Sequence, residues 1–107
     1  MPTVKEIFDL MPGKFDPEAA GDWNAVVQFK VAGEGGGNWN VTVQNKTCAV
    51  AEGEAASPTC TIETDAETYV GTSTGTINSQ TAFFSGKIKI AGNMSDAMKI
   101  NQVFKRA

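Results

Sequence analysis

Two consecutive runs of alternating apolar and polar residues constrain the fold of this chain more than any other feature. The first run extends from Trp23 to Val31 and the second from Trp39 to Val43, with a glycine-rich segment, residues 33–37, between them. A period of two sends successive side chains to opposite faces of a strand, so each run predicts a half-buried strand. The short glycine-rich connection makes the pair an antiparallel hairpin.

Three further strands are predicted after the hairpin. A turn at residues 45–46 leads into the third strand, residues 47–51, and the fourth is expected at residues 59–63. Alternating lysine and isoleucine residues mark the fifth, residues 87–90. Tight turns make the first three strands an antiparallel meander, whereas the longer connections to the fourth and fifth allow a mixed sheet.

Short helices are predicted around these strands from capping residues and apolar spacing. Thr3 and Thr64 each precede a glutamate by three residues, which is the spacing of a capping box. The residues expected to open the five helices are Thr3, Asp16, Thr64, Ser79 and Ser95. The sequence therefore predicts an α+β fold in one domain, residues 1–107: a five-stranded, twisted, mainly antiparallel sheet with one face covered by short helices.

Composition argues against most enzyme classes and against nucleic acid as a partner. The 107 residues include no histidine, which removes Ser-His-Asp and Cys-His nucleophile pairs and nearly all transition-metal sites. The formal net charge of −3 lacks the cationic field that phosphate backbones require. Residues 33–37 join strand to strand and lack the Lys-Ser/Thr ending of a phosphate-binding loop. We expect no catalytic residues, no metal and no cofactor.

The cysteines and the N-terminus indicate a reducing compartment. Cys48 and Cys60 lie outside any CxxC spacing and are expected to be buried thiols, with a disulfide as the less favoured alternative. Residues 1–10 contain no apolar run of signal-peptide length, and no segment is long enough to span a membrane. The expected location is cytoplasmic.

Large apolar side chains are dense in the last third of the chain. Core packing explains most of them, but flexible methionines would also suit an adaptable ligand pocket. A terminal helix attached by one stripe can also move more readily than an internal element. Its expected apolar side holds Ala97, Met98, Ile100, Val103 and Phe104.

One long contiguous run in the second half is specific enough to indicate a family. Residues 82–94 read Ala-Phe-Phe-x-Gly-Lys-Ile-Lys-Ile-x-Gly-Asn-Met, preceded by Thr59-Cys60-Thr61-Ile62 and followed by Ala97-Met98-Lys99. These residues closely resemble the sterol carrier protein type 2 family, and the first half agrees with that family mainly in pattern. Because the chain stops soon after Phe104, it is most similar to the single-domain members of the bacterial type.

The resemblance implies an apolar tunnel between the sheet and the helices. Family members bind fatty acids, fatty acyl-CoA, phospholipids or sterols there, so we expect a noncatalytic intracellular lipid carrier. Burial of an acyl chain gains about 0.8 kcal/mol per methylene, which needs no specific polar contact. By position, Gln80 should lie near the mouth, and the tunnel should be lined by some of Phe8, Val70, Phe83, Phe84, Met94, Met98, Ile100, Val103 and Phe104.

Two other functions remain open from the sequence. A closed version of the fold with a filled core would be an interaction or accessory module associated with acyl-CoA metabolism. A small enzyme would need a carboxylate or Tyr69 in a perturbed polar pocket, which the sequence does not show. The basic side chains of the last third are most simply interpreted as solvated, and the alternative is contact with an anionic head group or a membrane surface. They are Lys87, Lys89, Lys99, Lys105 and Arg106.

Overall fold

Five strands form one sheet in the computed structural model, which describes residues 3–100 and residue 103. In chain order they are β1 (Ala25–Ala32), β2 (Gly37–Gln44), β3 (Thr47–Glu52), β4 (Cys60–Asp65) and β5 (Lys89–Gly92). Their order across the sheet is β3-β2-β1-β4-β5. The β1–β4 pair is parallel and the other three pairs are antiparallel. The predicted five-stranded, mainly antiparallel sheet is confirmed, and it is mixed.

Short helices cover one face of this sheet. They are α1 (Val4–Lys14), α2 (Pro17–Ala20), α3 (Ala66–Thr74), α4 (Ser79–Phe84) and α5 (Met94–Lys99). Helix α1 packs on β3 and α3, while α3 and α5 both pack on β1 and β4. Among the described residues, no helix combines the length and the apolar character that crossing a bilayer requires.

Helix α4 begins at Ser79 as predicted, whereas two other helices are capped by residues other than the predicted ones. Thr64 and Ser95 were the wrong residues, because Asp65 and Asn93 take the capping positions instead. Thr64 is still in β4, and its hydroxyl donates to the carbonyl of Lys87 at 3.0 Å. The side chains that accept hydrogen bonds from the first turns are those of Asp65, Asn78 and Asn93.

Strand β5 begins two residues later than the lysine–isoleucine alternation predicts. The backbone N–H of Lys87 donates to the carbonyl of Ala82 at 2.9 Å, which holds Lys87 at the end of α4. At the other end of β5, the N–H of Asn93 donates to the carbonyl of Thr59 at 2.9 Å. The hydrogen bonds at both ends therefore determine where β5 begins and ends. The alternation of lysine and isoleucine indicates only which side chains share a face of the sheet.

The core lies between the helices and the inward side chains of alternate strand residues. The register pairs Val27 with Val41 and Cys60, and Phe29 with Trp39 and Ile62, so these side chains share the covered face. Burial of the odd-numbered positions from 25 to 31 in β1 and from 39 to 43 in β2 confirms the alternation read from the sequence. The buried aliphatic core includes Val4, Val27, Val31, Val41, Val43, Ile62 and Val70.

The connection from β3 to β4 crosses the opposite face and is held there by Gln28. This side chain points away from the helices yet is only 2% exposed. Its Nε2 donates to the carbonyls of Trp39 and Gly53, each at 3.1 Å, and its Oε1 accepts from the N–H of Ala55 at 2.6 Å. The crossover therefore lies over the middle of the sheet, which lets β4 run parallel to β1.

The two cysteines are too far apart to form a disulfide. Cys48 is in β3 and Cys60 is in β4, with β2 and β1 between them. Three strand spacings of about 4.8 Å place them roughly 14 Å apart, whereas a disulfide needs Cα atoms within about 7 Å. Both are free thiols, so the disulfide alternative is excluded in this structure.

Both thiols should react slowly with iodoacetamide at neutral pH. Burial raises the pKa of Cys48 and of Cys60 from 9.0 to about 11. Below pH 8 the thiolate fraction is then about 100-fold lower than for an unshifted thiol, and it should rise about tenfold per pH unit up to pH 10. Timed alkylation with mass spectrometry measures this rate, and the same chain in urea is the control. Rapid labelling of the folded chain at pH 7 would contradict the assignment.

Candidate functional site

Four aromatic rings fill the layer between the sheet and the helices. Phe8, from α1, is 0% exposed and stacks between Trp39 and Tyr69, with ring centroids 4.9 Å apart and planes within 10° in both pairs. The ring of Phe29 meets Phe8 edge-on at 5.2 Å. Aromatic rings from β1, β2 and α3 thus converge on one side chain of α1. We call Phe8, Phe29, Trp39 and Tyr69 the aromatic cluster.

The interior around the aromatic cluster is uncharged. Burial raises the pKa of the Tyr69 phenol well above its usual range, and a hydrogen bond with Ser73 opposes that shift. The phenol therefore stays neutral at physiological pH. Among the described residues, every buried side-chain nitrogen or oxygen has a hydrogen-bond partner. A ligand held in this layer would be bound by apolar contact rather than by an unpaired polar group.

A second apolar region lies at the open edge of the sheet. Phe84, at the end of α4, is 84% exposed, and Met94 and Met98 on α5 are 44% and 58% exposed. Ile88 and Ile90 pack partly buried against the core, and Ile90 pairs in register with Ile62. We call Phe84, Ile88, Ile90, Met94 and Met98 the apolar rim. Its members lie on α4, on α5 and on or just before β5, which is the edge strand next to β4.

Helix α5 is attached to the core by one side only. The indole N–H of Trp23 donates to Oδ1 of Asp96 at 2.8 Å, and Ala97 and Ile100 are buried. Met94 and Met98 lie one turn apart, so they share the exposed side of the helix. The helix therefore presents a flexible apolar stripe to solvent.

The sequence pattern placed Met98 on the same side of the last helix as Ala97 and Ile100, and the structure differs. Asp96, Ala97 and Ile100 define the buried side of α5. At 100° per residue Met98 then falls on the opposite side. The phase of this helix is set by its cap and by the Trp23 hydrogen bond, which apolar spacing alone does not reveal.

The described residues expected to contact lipid differ in burial and fall into three groups. Four are buried in the interior, namely Phe8, Val70, Ile100 and Val103. Phe83 is half-buried and meets the ring of Phe84 edge-on at 5.7 Å. The remaining described ones are exposed, namely Gln80, Phe84, Met94 and Met98. Phe104 lies outside the described residues.

Residue-level reasoning missed three members of the aromatic cluster. Phe29 and Trp39 were assigned only to strands, and Tyr69 only to a helix and to the enzyme alternative. All three contact Phe8. Inward alternation in β1 and β2 carried the signal for Phe29 and Trp39. Nothing local indicates that Tyr69 meets the same ring, because that contact depends on how α3 packs beside α1.

Two concavities on the described surface lie away from the aromatic cluster. One, of about 260 Å³, is lined by Gly21, Asp22, Asn24, Asn45 and Lys46. The other, of about 250 Å³, is lined by Lys30, Val31, Ala32, Asn38, Glu63 and Thr64. Both are rich in polar side chains, and neither includes a residue of the apolar rim. Within the described part of the chain, no group of three His, Cys, Asp or Glu side chains is placed to hold a metal ion.

A mixed five-stranded sheet with helices over one face is a fold that this chain shares with solved sterol carrier protein structures. The model of the SCP-2 sterol transfer family matches residues 4–105. The chain belongs to this family, which confirms the resemblance found in residues 82–94.

A relative carries a segment similar to this chain within a longer protein. Hydroxysteroid dehydrogenase-like protein 2 of Rattus norvegicus is 32% identical over 102 residues, which are 94% of this chain and 20% of that protein. This chain thus spans about a fifth of that relative's length.

Solved structures show a similar fold both as nearly a whole chain and as part of a much longer chain. Palmitated sterol carrier protein 2 like 2 of Aedes aegypti has a TM-score of 0.80 at 24% identity, over 98% of this chain and 97% of its own. A stereoselective inverting sec-alkylsulfatase from Pseudomonas sp. has a TM-score of 0.82 at 15% identity, over 99% of this chain and 17% of that chain. At these identities the likeness is one of fold.

Proposed function

We propose that this chain is a noncatalytic lipid carrier domain that holds one fatty acyl chain between its sheet and its helices. The observation that supports this most directly is the uncharged layer around the aromatic cluster, in which all described buried polar side-chain atoms are already paired. Membership in the SCP-2 sterol transfer family agrees with that chemistry. Fatty acids, fatty acyl-CoA, phospholipids and sterols all present the apolar body that such a layer accepts.

Binding requires side chains to move, because the aromatic cluster fills the layer in this structure. An acyl chain gains about 0.8 kcal/mol for each methylene removed from water, so a chain of ordinary length offsets substantial rearrangement. The apolar rim is the proposed route of access. Three of its side chains are exposed, and its two isoleucines pack against the core at or just before the edge strand β5. Methionine side chains adapt to varied apolar shapes, which suits Met94 and Met98 to this position.

A saturated fatty acid is the first ligand to test. The Aedes aegypti relative has been solved in its palmitated form, and its fold covers nearly all of this chain. We therefore propose that a chain of palmitate length fits the same layer here. A sterol or a phospholipid would need the layer to open wider, because either molecule is broader than a single acyl chain.

Saturable uptake of a fluorescent fatty acid at one equivalent per chain is expected from the unmodified protein in vesicle-free buffer. Replacing both Met94 and Met98 with serine should raise the dissociation constant about tenfold, because the variant loses the apolar contacts that the two methionines make with a ligand at the rim. Fluorescence titration measures the dissociation constant, and displacement by unlabelled palmitate shows that the label is not responsible for binding.

Leu10→Ser is the matched control for the methionine variant. Leu10 is 56% exposed on α1 and does not belong to the rim, so its replacement should leave the dissociation constant unchanged. Circular dichroism confirms that each variant is folded. Equal affinity of the methionine variant and the unmodified chain would remove the rim from the binding site.

A closed accessory module is the second candidate, and the filled interior favours it. The stacked rings of Phe8, Trp39 and Tyr69 leave no gap between α1, β2 and α3 at that point. The fold also occurs as a fifth or less of larger proteins, where it would support a neighbouring domain. This candidate predicts no uptake of fatty acid, acyl-CoA or sterol in the same titration.

Tyr69 is not proposed as a catalytic residue. A phenol used as a base needs a lowered pKa, whereas burial raises the pKa of this one. Its ring stacks on Phe8, and its position in the interior is explained by that contact.

A further inference from the structure

The two edge strands of the sheet differ in how they are protected. Strand β5, at one end, has four residues and begins with Lys89. Strand β3, at the other end, has six residues, an unbroken register with β2, and no lysine, arginine or proline. Short length, lysine, proline and bulges are the devices by which proteins keep an edge strand from pairing with another chain. Of the two edge strands, only β5 has such devices.

The backbone of β3 is available for pairing at every second residue. The N–H of Gly53 donates to the carbonyl of Asn38 at 2.7 Å, and this pair continues the register of β2 with β3. Because hydrogen-bonded pairs alternate along an antiparallel ladder, the odd-numbered residues of β3 also bond to β2. The N–H and carbonyl groups of Cys48, Val50 and Glu52 therefore point to the outer edge of the sheet.

The side chains of β3 suit close approach by another strand. Thr47, Ala49 and Ala51 are exposed on the face of the sheet away from the helices. Cys48 and Val50 are half-buried on the covered face and pack against the core. A neighbouring strand would bury these two side chains further, and it would meet only small side chains on the other face.

The charges at the two ends of β3 indicate which strand fits. Lys46 lies in the turn before the strand, and Glu52 ends it. Both side chains are exposed, and neither belongs to an ion pair among the described residues. Lys5 on α1 is weakly attracted to Glu52, but its ammonium group is bonded to Asp9 at 2.9 Å. An antiparallel copy of the same strand would place each Lys46 opposite the Glu52 of the other copy, and opposite charges stabilise such a pair.

We propose that β3 is a self-complementary edge through which two copies of this chain form an antiparallel dimer. Ala49 lies at the two-fold axis opposite its own counterpart, and Cys48 of each copy exchanges backbone hydrogen bonds with Val50 of the other. This register is the one that places Lys46 directly opposite Glu52 of the other copy. The two five-stranded sheets become one sheet of ten strands.

The dimer leaves the apolar rim of each copy free. Strands β3 and β5 lie at opposite ends of the sheet, so the two rims lie at the outer ends of the ten-stranded sheet. Helix α1 packs on β3, so the α1 helices of both copies lie on one side of the sheet, near the shared edge. The proposal goes beyond the carrier function and does not depend on it, because fatty acid uptake by a monomer would leave that function intact.

Sedimentation equilibrium tests the pairing. One pair of edge strands is a small interface, so the unmodified chain should dimerise with a dissociation constant between about 10 μM and about 1 mM. Ala49→Lys sets two ammonium groups face to face at the two-fold axis and should raise that constant at least about tenfold. Ala91→Lys is the matched control, because Ala91 is exposed on the other edge strand, and it should leave the constant unchanged. Circular dichroism confirms that both variants are folded.

Two results of that measurement would overturn the proposal. One is a chain that stays monomeric at about 1 mM, which would leave β3 as an edge for an extended segment of a different protein. The other is an equal dissociation constant for Ala49→Lys and Ala91→Lys, which would place the dimer contact elsewhere.

Charge reversal tests the register of the two strands. Lys46→Glu and Glu52→Lys each set two pairs of like charges against each other in a dimer, so each alone should raise the dissociation constant about tenfold. An equal mixture of the two variants should form a heterodimer, because every pair of residues 46 and 52 then has opposite charges. A mixture that dimerises no better than either variant alone would contradict the proposed register.

Disulfide trapping gives a second measurement that does not depend on charge. In a Cys48→Ser background, Ala49→Cys should cross-link when diamide is added, because opposite residues of a non-hydrogen-bonded pair have Cα atoms about 4.5 Å apart. Ala51→Cys is the matched control on the same strand, since about 14 Å would separate it from its counterpart. Non-reducing electrophoresis separates the cross-linked dimer from the monomer. Equal cross-linking of both variants, or of neither, would overturn the proposal.

Discussion

Phe8→Ala should lower the free energy of unfolding by about 3–5 kcal/mol, which is the usual cost of truncating a fully buried phenylalanine. Phe8 is 0% exposed, and its ring contacts Phe29, Trp39 and Tyr69. Alanine would remove three ring contacts and leave a cavity where α1, α3 and the sheet meet. Urea unfolding followed by far-ultraviolet circular dichroism measures the change.

Leu10→Ala is the control for this prediction. It lies on the same helix, two residues along, and is 56% exposed, so its loss should change stability by no more than about 0.5 kcal/mol. Similar effects of the two substitutions would contradict the central position of Phe8. A Phe8→Ala chain that stays folded would also take up fatty acid more readily if the aromatic cluster is what closes the layer.

Gln28→Ala should lower the free energy of unfolding by about 2–4 kcal/mol, because it removes several hydrogen bonds from buried and half-buried backbone groups. The carbonyl of Trp39 and the N–H of Ala55 both lose a hydrogen bond to this side chain. The Gly53 carbonyl loses one of its two donors. Urea unfolding gives the overall cost, and hydrogen exchange at the Ala55 amide reports the local one.

Asn40→Ala is the matched comparison. Asn40 donates only to the Gly53 carbonyl, at 3.1 Å, and Gln28 still satisfies that oxygen when Asn40 is absent. The expected cost is about 0.5–1.5 kcal/mol. The Ala55 amide should remain protected in this variant and should exchange rapidly after Gln28→Ala. Unchanged protection in both would mean that the crossover is held by other contacts.

The sequence predicted the strands and their facing well because the signal is local. Alternation from Trp23 to Val31 identified β1 and its buried side, and the glycine-rich segment identified the hairpin. It did not predict that β4 pairs parallel to β1. That pairing depends on how the crossover lies over the sheet, and Gln28, an ordinary polar position in an alternating strand, is the side chain that holds it.

The residue types of the candidate site could be predicted from the sequence, but their positions and exposure could not. The last third of the chain was correctly marked as rich in large apolar side chains, and the family resemblance was confirmed by residues 4–105. The exposure of Phe84 and Met98 was not predictable, because helix phase depends on caps and on the Trp23–Asp96 hydrogen bond. Whether the expected residues contact lipid stays a prediction.

The parallel pairing of β1 with β4 has a consequence for how the chain folds. Strands β1, β2 and β3 are joined by short turns, so their contacts close small loops and can form early. Joining β4 to β1 encloses the whole meander, and this larger loop must close before the parallel contacts stabilise the sheet. Strand β5 pairs only with β4 in the sheet, so we expect this edge of the sheet to be assembled last.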